Sequence, residues 1–454
     1  MNENRANRLG TGRIPALVFS MGVPAVAAQL FSVLYSTVDR IYIGNIPEIG
    51  RASLTGVGVA LPVIIIMSAF AFMVGMGGAP LAAMRLGSGD REGAERVLGN
   101  ALTLLISLSV VLTVLLQLIK HPLLMAFGAS EATYQYAGAY LGVYLWATPA
   151  IMLTLGLNPY IAAQGRPKAA MAAFLLSSGV NMVLDPIFIL ALGWGVRGAA
   201  FAMLISQTVS AAWTIAVLRS DKAVMRIRAR SMKLEGDTTG GILRLGVSPL
   251  LMMGTESMVS ATLNNSLQRY GGDLYVGSMT ILLSLLQLVM TPLNGFTQGT
   301  QAILSYNYGA RQTGRVKAAF KLIVTTTVFI ALALSLTAIL FPRVFAGMFS
   351  RGDTELIDLT ARMMPVFLCG IFAVGAQIAC QSAFLALGQA KVSLFVTLLR
   401  KVLLLIPLAV ILPRFVGVNG VYYAEPIADL TASLITVTLF ALMFRRILSN
   451  QEKA

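Results

Sequence analysis

Uncharged apolar stretches of about 20 residues recur about a dozen times along this chain, the length an α-helix needs to cross a hydrocarbon core of about 30 Å. In lipid each backbone N–H and C=O must bond internally, so such runs read as membrane-spanning helices. The pattern predicts spans at 14–38, 54–76, 98–119, 134–158, 169–190 and 196–218. After a polar break they resume at 243–267, 276–304, 318–341, 356–381, 391–412 and 418–444. Only 12% of the 454 residues are charged and the mean hydropathy is +0.78, whereas a soluble domain carries about a quarter charged residues. The first stretch is too long for a signal-peptide core and ends at no small-residue cleavage site, so it is expected to remain as the first span.

A net charge of +15 raises the question of a nucleic-acid partner, and the placement of the bases answers it. With the N-terminus inside, the cytoplasmic segments hold Arg5, Arg8, Arg13, Arg85, Arg91, Arg96, Arg166, Lys168, Arg311, Arg315, Lys317, Arg445 and Arg446. The run after Arg219 adds Lys222, Arg226, Arg228 and Arg230. Roughly two dozen bases inside against about nine outside predict an N-in, C-in orientation by the positive-inside rule. The basic excess is topological, and no nucleic-acid partner is expected.

Three glycine-marked motifs recur at an offset of about 220 residues. Gly89-Asp90-Arg91 matches Gly309-Ala310-Arg311, Gln164-Gly165-Arg166-Pro167-Lys168 matches Leu387-Gly388-Gln389-Ala390-Lys391, and Gly195-Val196-Arg197-Gly198 matches Gly417-Val418-Asn419-Gly420. Six spans per half is an even number, so both halves start on the same side. The expected fold is an all-α membrane protein of twelve transmembrane helices in two parallel-repeat lobes, with a cleft between them. The lobes are expected at 1–218 and 241–454, joined by a basic cytoplasmic linker at 219–240.

Leu34-Tyr35-Ser36-Thr37-Val38-Asp39 with Ile43-Gly44, the segment Asn181-Met182-Val183-Leu184-Asp185-Pro186, Gly198-Ala199-Ala200, and Ser305-Tyr306-Asn307-Tyr308-Gly309-Ala310 together resemble the multidrug and toxic compound extrusion (MATE) family. The resemblance spans both halves. It implies a cation-coupled efflux antiporter of the bacterial inner membrane, working without a cofactor, that expels small organic cations in exchange for protons, with sodium as the alternative ion. A lipid-surrounded monomer is expected. The family's ion site corresponds to Asp39, Asn181 and Asp185, and the proline that bends its first helix corresponds to Pro24. Where the family often carries a hydroxyl residue on the sixth span, this chain has Met203, a poor ligand for a hard cation.

The residues themselves point the same way, since an ionisable group at mid-bilayer costs roughly 2.5–3.5 kcal/mol and usually marks an ion or substrate path. Asp185 lies about 25 Å into an outward-running span, with Asn181 one turn before it. Asp39 reaches a similar height at the end of the first span; its alternative reading is an interfacial residue beside Arg40. In the second half, Glu256, Arg400, Lys401, Glu425 and Asp429 all fall in the central region by depth. Unpaired they would cost on the order of 12–17 kcal/mol, so a network is expected. Three acids against two bases leave one negative charge, open to a proton or a cationic substrate, with Glu256 as the acid expected to be left over; a structural lock between the last two helices is the alternative.

Other features carry little chemistry. Cys369 and Cys380 sit about 16 Å apart along one predicted helix, too far for a disulfide. The single histidine, His121, at a span end between Lys120 and Pro122, reads as an interfacial residue. Met252, Met253, Met258 and Met290 are candidates for an adaptable surface, with lipid-facing packing as the plainer reading. Two other functions remain to be weighed. A flippase for lipid-linked saccharides calls for a basic cavity, and a polytopic membrane transferase for paired Asp-rich motifs or a membrane-face histidine.

Overall fold

Each predicted span is helical, and most extend past their apolar stretch, because a helix keeps its backbone bonded while its terminal polar side chains reach the membrane surface. In chain order these are α1 (Ile14–Gly44), α2 (Gly50–Gly87), α3 (Arg91–Ala126), α4 (Thr133–Ala163), α5 (Pro167–Ala191) and α6 (Gly195–Arg219). The second half holds α7 (Gly236–Tyr270), α8 (Asp273–Gly309), α9 (Thr313–Leu340), α10 (Thr354–Leu368 with Ile371–Ala386), α11 (Ala390–Val416) and α12 (Asn419–Lys453). A short helix, Pro342–Phe349, links α9 to α10. The structure is a computed structural model describing residues 8–47, 49–349 and 353–453. Arg5, counted among the cytoplasmic bases, lies outside them.

Ten of these helices are long and apolar enough to cross a membrane, and the bent pair in α10 makes an eleventh. The twelfth, α7, falls short because Thr255, Glu256, Ser257, Asn264 and Asn265 interrupt its apolar surface. It begins at Gly236, inside the segment expected to be linker.

Irregularities recur in matching places. The 3-10 turn Leu145–Ala147 inside α4 corresponds to the 47° break in α10. Both α5 and α11 carry a π-helical turn, at Ile187–Ala191 and Leu399–Leu405. Gly165 and Gly388 take nearly the same left-handed conformation, with φ of 73° and 72°, which a glycine adopts without penalty. The first of the three motif matches is shifted, however. The structure pairs Gly87 with Gly309 at the helix ends and Gly89 with Arg311 in the turns, where Arg311, φ 58°, is the only non-glycine residue with positive φ among the described residues. The break in α10 also places Cys369 at a bend rather than on a straight helix with Cys380, and both thiols are free.

The two lobes meet through α1 against α8 and α2 against α7, a reciprocal arrangement expected from an axis along the membrane normal. Small residues let the backbones touch. A Cβ on Gly246 would lie 2.0 Å from the Met73 carbonyl oxygen, and one on Gly299 2.7 Å from that of Met21. These contacts involve the first halves of α1 and α7 and the second halves of α2 and α8, all on the side of the N-terminus and linker. Toward the other side, a Cβ on Gly58 of α2 or Gly254 of α7 would meet no neighbour within 4 Å.

Candidate functional site

In the first lobe α1 continues to Gly44, so Asp39 lies within the helix and is buried while Arg40 beside it is exposed. Asp185, one residue before Pro186, is fully buried, and Asn181 donates Nδ2–H to its Oδ1 at 3.0 Å. The structure brings the Asp39 and Asp185 carboxyls within hydrogen-bonding range of each other. Tyr35, one turn before Asp39, and the stacked pair Tyr140 and Tyr144 from α4, 5.6 Å between centroids, surround them.

Two carboxylates offer only acceptors, so they stay in contact inside a protein only by sharing a proton or flanking a cation. Asp39 Oδ1, Asn181 Oδ1 and Asp185 Oδ2 are buried without a protein partner, which sharpens that requirement. On α6 the Met203 sulfur accepts from Gln207 Nε2 at 3.7 Å, and Gln207 Oε1 is likewise unpartnered. Sequence reasoning missed Tyr140, Tyr144 and Gln207. Only Gln207 carried a signal, its place one turn from Met203 on the same face. Pro24 sits inside an unbroken α1, where it removes one backbone donor without ending the helix.

The second lobe gathers all five of its predicted charges, but pairs them differently from expectation. Arg400 donates Nε–H to Asp429 Oδ1 at 2.6 Å and Nη2–H to Glu425 Oε1 at 3.3 Å. Lys401 pairs with Glu256 and also donates to the Met252 carbonyl at 3.1 Å. Glu256, 60% exposed at its side chain, is thus not the acid left over. The surplus sits on Glu425 and Asp429, which share one guanidinium and leave Glu425 Oε2 and Asp429 Oδ2 buried without partners. Glu425 and Asp429 occupy the places in α12 that Met203 and Gln207 occupy in α6, so the two lobes carry different chemistry on equivalent helices.

Two small cavities lie between the lobes, and Met76 and Gln298 line both. Met21, Phe72, Met171 and Phe174 make one wall apolar, and Met252, Asn294 and Gln381 lie on the other side. Of the four methionines singled out in the sequence, Met252 reaches this wall, while Met258 is largely exposed on the outer half of α7. His121 packs edge-on against Tyr134, 4.5 Å between ring centroids.

Two lobes of matching helical repeats that meet around shared cavities, with ionisable side chains buried at membrane depth, define a secondary transporter. The sequence model of the MatE family matches residues 24–187 and again 250–411, one segment in each half, and the chain belongs to that family. MATE proteins are multi-pass membrane transporters rather than enzymes. Among similar proteins is the multidrug export protein MepA of Staphylococcus aureus (strain MSSA476), 22% identical over 425 residues, covering 94% of this chain and 93% of the relative. Among solved structures, a MATE protein in the bent conformation superposes with a TM-score of 0.92 at 24% identity, over 99% of both chains. An outward-facing multidrug resistance MATE transporter of the MOP superfamily superposes with a TM-score of 0.90 at 24% identity, over 98% of both.

Proposed function

We propose that the protein is a multidrug efflux antiporter that exports organic cations in exchange for protons by alternating access, as a monomer in the bacterial inner membrane. The lobes 1–218 and 241–454 would rock about the interface, with 219–240 as the connection and α1 bending at Pro24 to take up part of the motion. The observation that carries this reading is the contact between Asp39 and Asp185. A pair that must hold a proton or a cation to remain buried is emptied of one when it takes the other, and that exchange couples the two fluxes. The Arg400, Glu425 and Asp429 cluster, with Lys401 and Glu256 beside it, supplies a second acidic surplus facing the same problem. The name of MepA, a multidrug export protein, supports the substrate class.

A flippase for lipid-linked saccharides needs unengaged bases in its cavity to hold a pyrophosphate. Arg400 and Lys401 are both committed to carboxylates, so nothing favours that reading. The test is Asp185→Asn in proteoliposomes under an imposed proton gradient. The variant is expected to reconstitute normally and to lose export of a fluorescent organic cation such as ethidium. Full export by Asp185→Asn would overturn the assignment.

A further inference from the structure

On the cytoplasmic side, the chain leading into each lobe's first helix is fastened to the opposite lobe. The segment before α1 lies on the C-terminal lobe. Asn307 Nδ2 donates to the Leu9 carbonyl at 2.9 Å, and Arg315 Nη2 donates to the carbonyls of Leu9 at 3.2 Å and Gly12 at 2.7 Å. Arg315 Nε also donates to Asn307 Oδ1 at 2.9 Å, holding the clasp together. Leu9 and Asn307 are both buried.

The segment before α7 lies on the N-terminal lobe in the same manner. Asn100 donates to the Lys233 carbonyl at 3.1 Å and accepts from the Glu235 N–H at 2.8 Å and the Thr239 hydroxyl at 3.1 Å. Thr103 donates to the Met232 carbonyl at 2.7 Å. Gly99 lets the strand of chain approach, since a Cβ there would stand 2.0 Å from the Ser231 carbonyl oxygen. Upstream, Glu95 takes Arg228 at 3.0 Å, and Gln164 accepts the Val224 N–H at 2.7 Å. The linker is therefore not a free tether.

We propose that these two segments are paired latches that hold the cytoplasmic side of the cleft shut, each closed by a buried asparagine gripping backbone groups of a strap that belongs to the other lobe's first helix. The inference rests on the alternating-access reading above. Separating the inner halves of α1 from α8 and of α2 from α7 draws each strap away from its clasp, so opening toward the cytoplasm requires both to let go. The chemistry suits a latch rather than a permanent joint. The clasped groups are main-chain carbonyls and N–H groups at the membrane surface, where water takes over their bonds once they part, so release costs only the net worth of each bond.

The test uses spin labels at Ser88→Cys and Lys317→Cys, on opposite lobes of the cytoplasmic face, in full-length protein whose Cys369 and Cys380 are replaced by Ser and Ala. Distances are measured across a range of pH with and without an organic cation. Arg315→Gln removes the guanidinium donors with a shorter polar side chain and Thr103→Val removes the hydroxyl at constant size, so they test the two clasps separately and avoid the loss of fold that Asn100→Ala risks. Arg315→Gln is expected to raise the ratio of cytoplasm-open to closed protein about tenfold, and Thr103→Val about threefold. Glu92→Gln, which breaks only the exposed pair with Arg230, is expected to match the parent. If the parent shows both distances and the two latch variants distribute as it does, the latches are wrong while alternating access stands. If the parent holds one distance under every condition, the alternating-access reading fails and takes this inference with it.

Discussion

Gly87 and Gly309 are equivalent residues of the two halves, and each lies against the other half's backbone. A Cβ on Gly87 would stand 2.0 Å from the Tyr306 carbonyl oxygen, and one on Gly309 1.9 Å from that of Met84. Such a gap admits no methyl without displacing a helix. Gly309→Ala is expected to weaken the closed cytoplasmic interface by about 1–3 kcal/mol, the usual cost of overpacking. Reaction of a cysteine at Ser88 with a membrane-impermeant thiol reagent, applied from the cytoplasmic side, should rise relative to the glycine parent. Unchanged labelling would mean the lobes tolerate the extra atom.

Asp39→Asn tests the carboxyl pair from its other side. The amide can donate to Asp185, so the fold is expected to survive and expression to match the parent. Export under a proton gradient should fall below about a tenth, because a single carboxyl no longer meets the need to trade a proton for a cation. Retained export would place the exchange elsewhere.

Met203 bears on the coupling ion. With a thioether in place of a hydroxyl, position 203 offers no hard oxygen ligand, and transport in sodium-free proteoliposomes driven by protons alone is expected to persist. Strict dependence on sodium would show that other oxygens complete a metal site.

In the second lobe the two ion-paired units should behave differently. Arg400→Ala leaves Glu425 and Asp429 buried without a counter-charge, and a stability loss of about 3–5 kcal/mol is expected in thermal unfolding. Adding Glu425→Gln should recover part of it. Glu256→Gln removes the charge partner of a Lys401 side chain that is only 14% exposed and should cost about 1–3 kcal/mol, while efflux keeps its pH dependence because the acidic surplus stays on Glu425 and Asp429. Lost efflux in that variant would bring Glu256 into the exchange after all.

Asp90 gives a pH prediction outside the membrane. It caps α3 by accepting the Gly93 N–H at 2.8 Å, and this bond, with Arg85 beside it, holds its carboxyl below the usual range near 4. A depressed folded-state value means that the cap's contribution is fully present above the unfolded value and is lost as pH falls through the folded one. Asp90→Ala should cost about 1 kcal/mol near neutral pH, and the difference from the parent should vanish at strongly acid pH. A constant difference across that range would refute the electrostatic part of the account.

The apolar run lengths were enough to specify twelve helices, the distribution of Lys and Arg their orientation, and the recurring glycine motifs two similar halves. Membrane insertion is governed by local composition, and no distant residue has to be known to read it. The polar residues too costly to leave in lipid were legible for the same reason, so Asp39, Asn181, Asp185 and the five charges of the second lobe stood out at once. Depth along a helix, however, is only one coordinate. Which carboxyl faces which base depends on helix rotation and lateral packing, and those are set by contacts between distant segments. Glu256 illustrates the limit: its depth was right, yet only packing assigned it to Lys401 and gave Arg400 to Glu425 and Asp429 together. Tyr140 and Tyr144 joined the first site, and Asn100 and Asn307 became clasps, for the same cause. A buried asparagine in a sequence looks like any other polar residue. Its partners are main-chain groups of remote segments, which carry no side-chain signal, so only the tertiary fold could reveal what it holds.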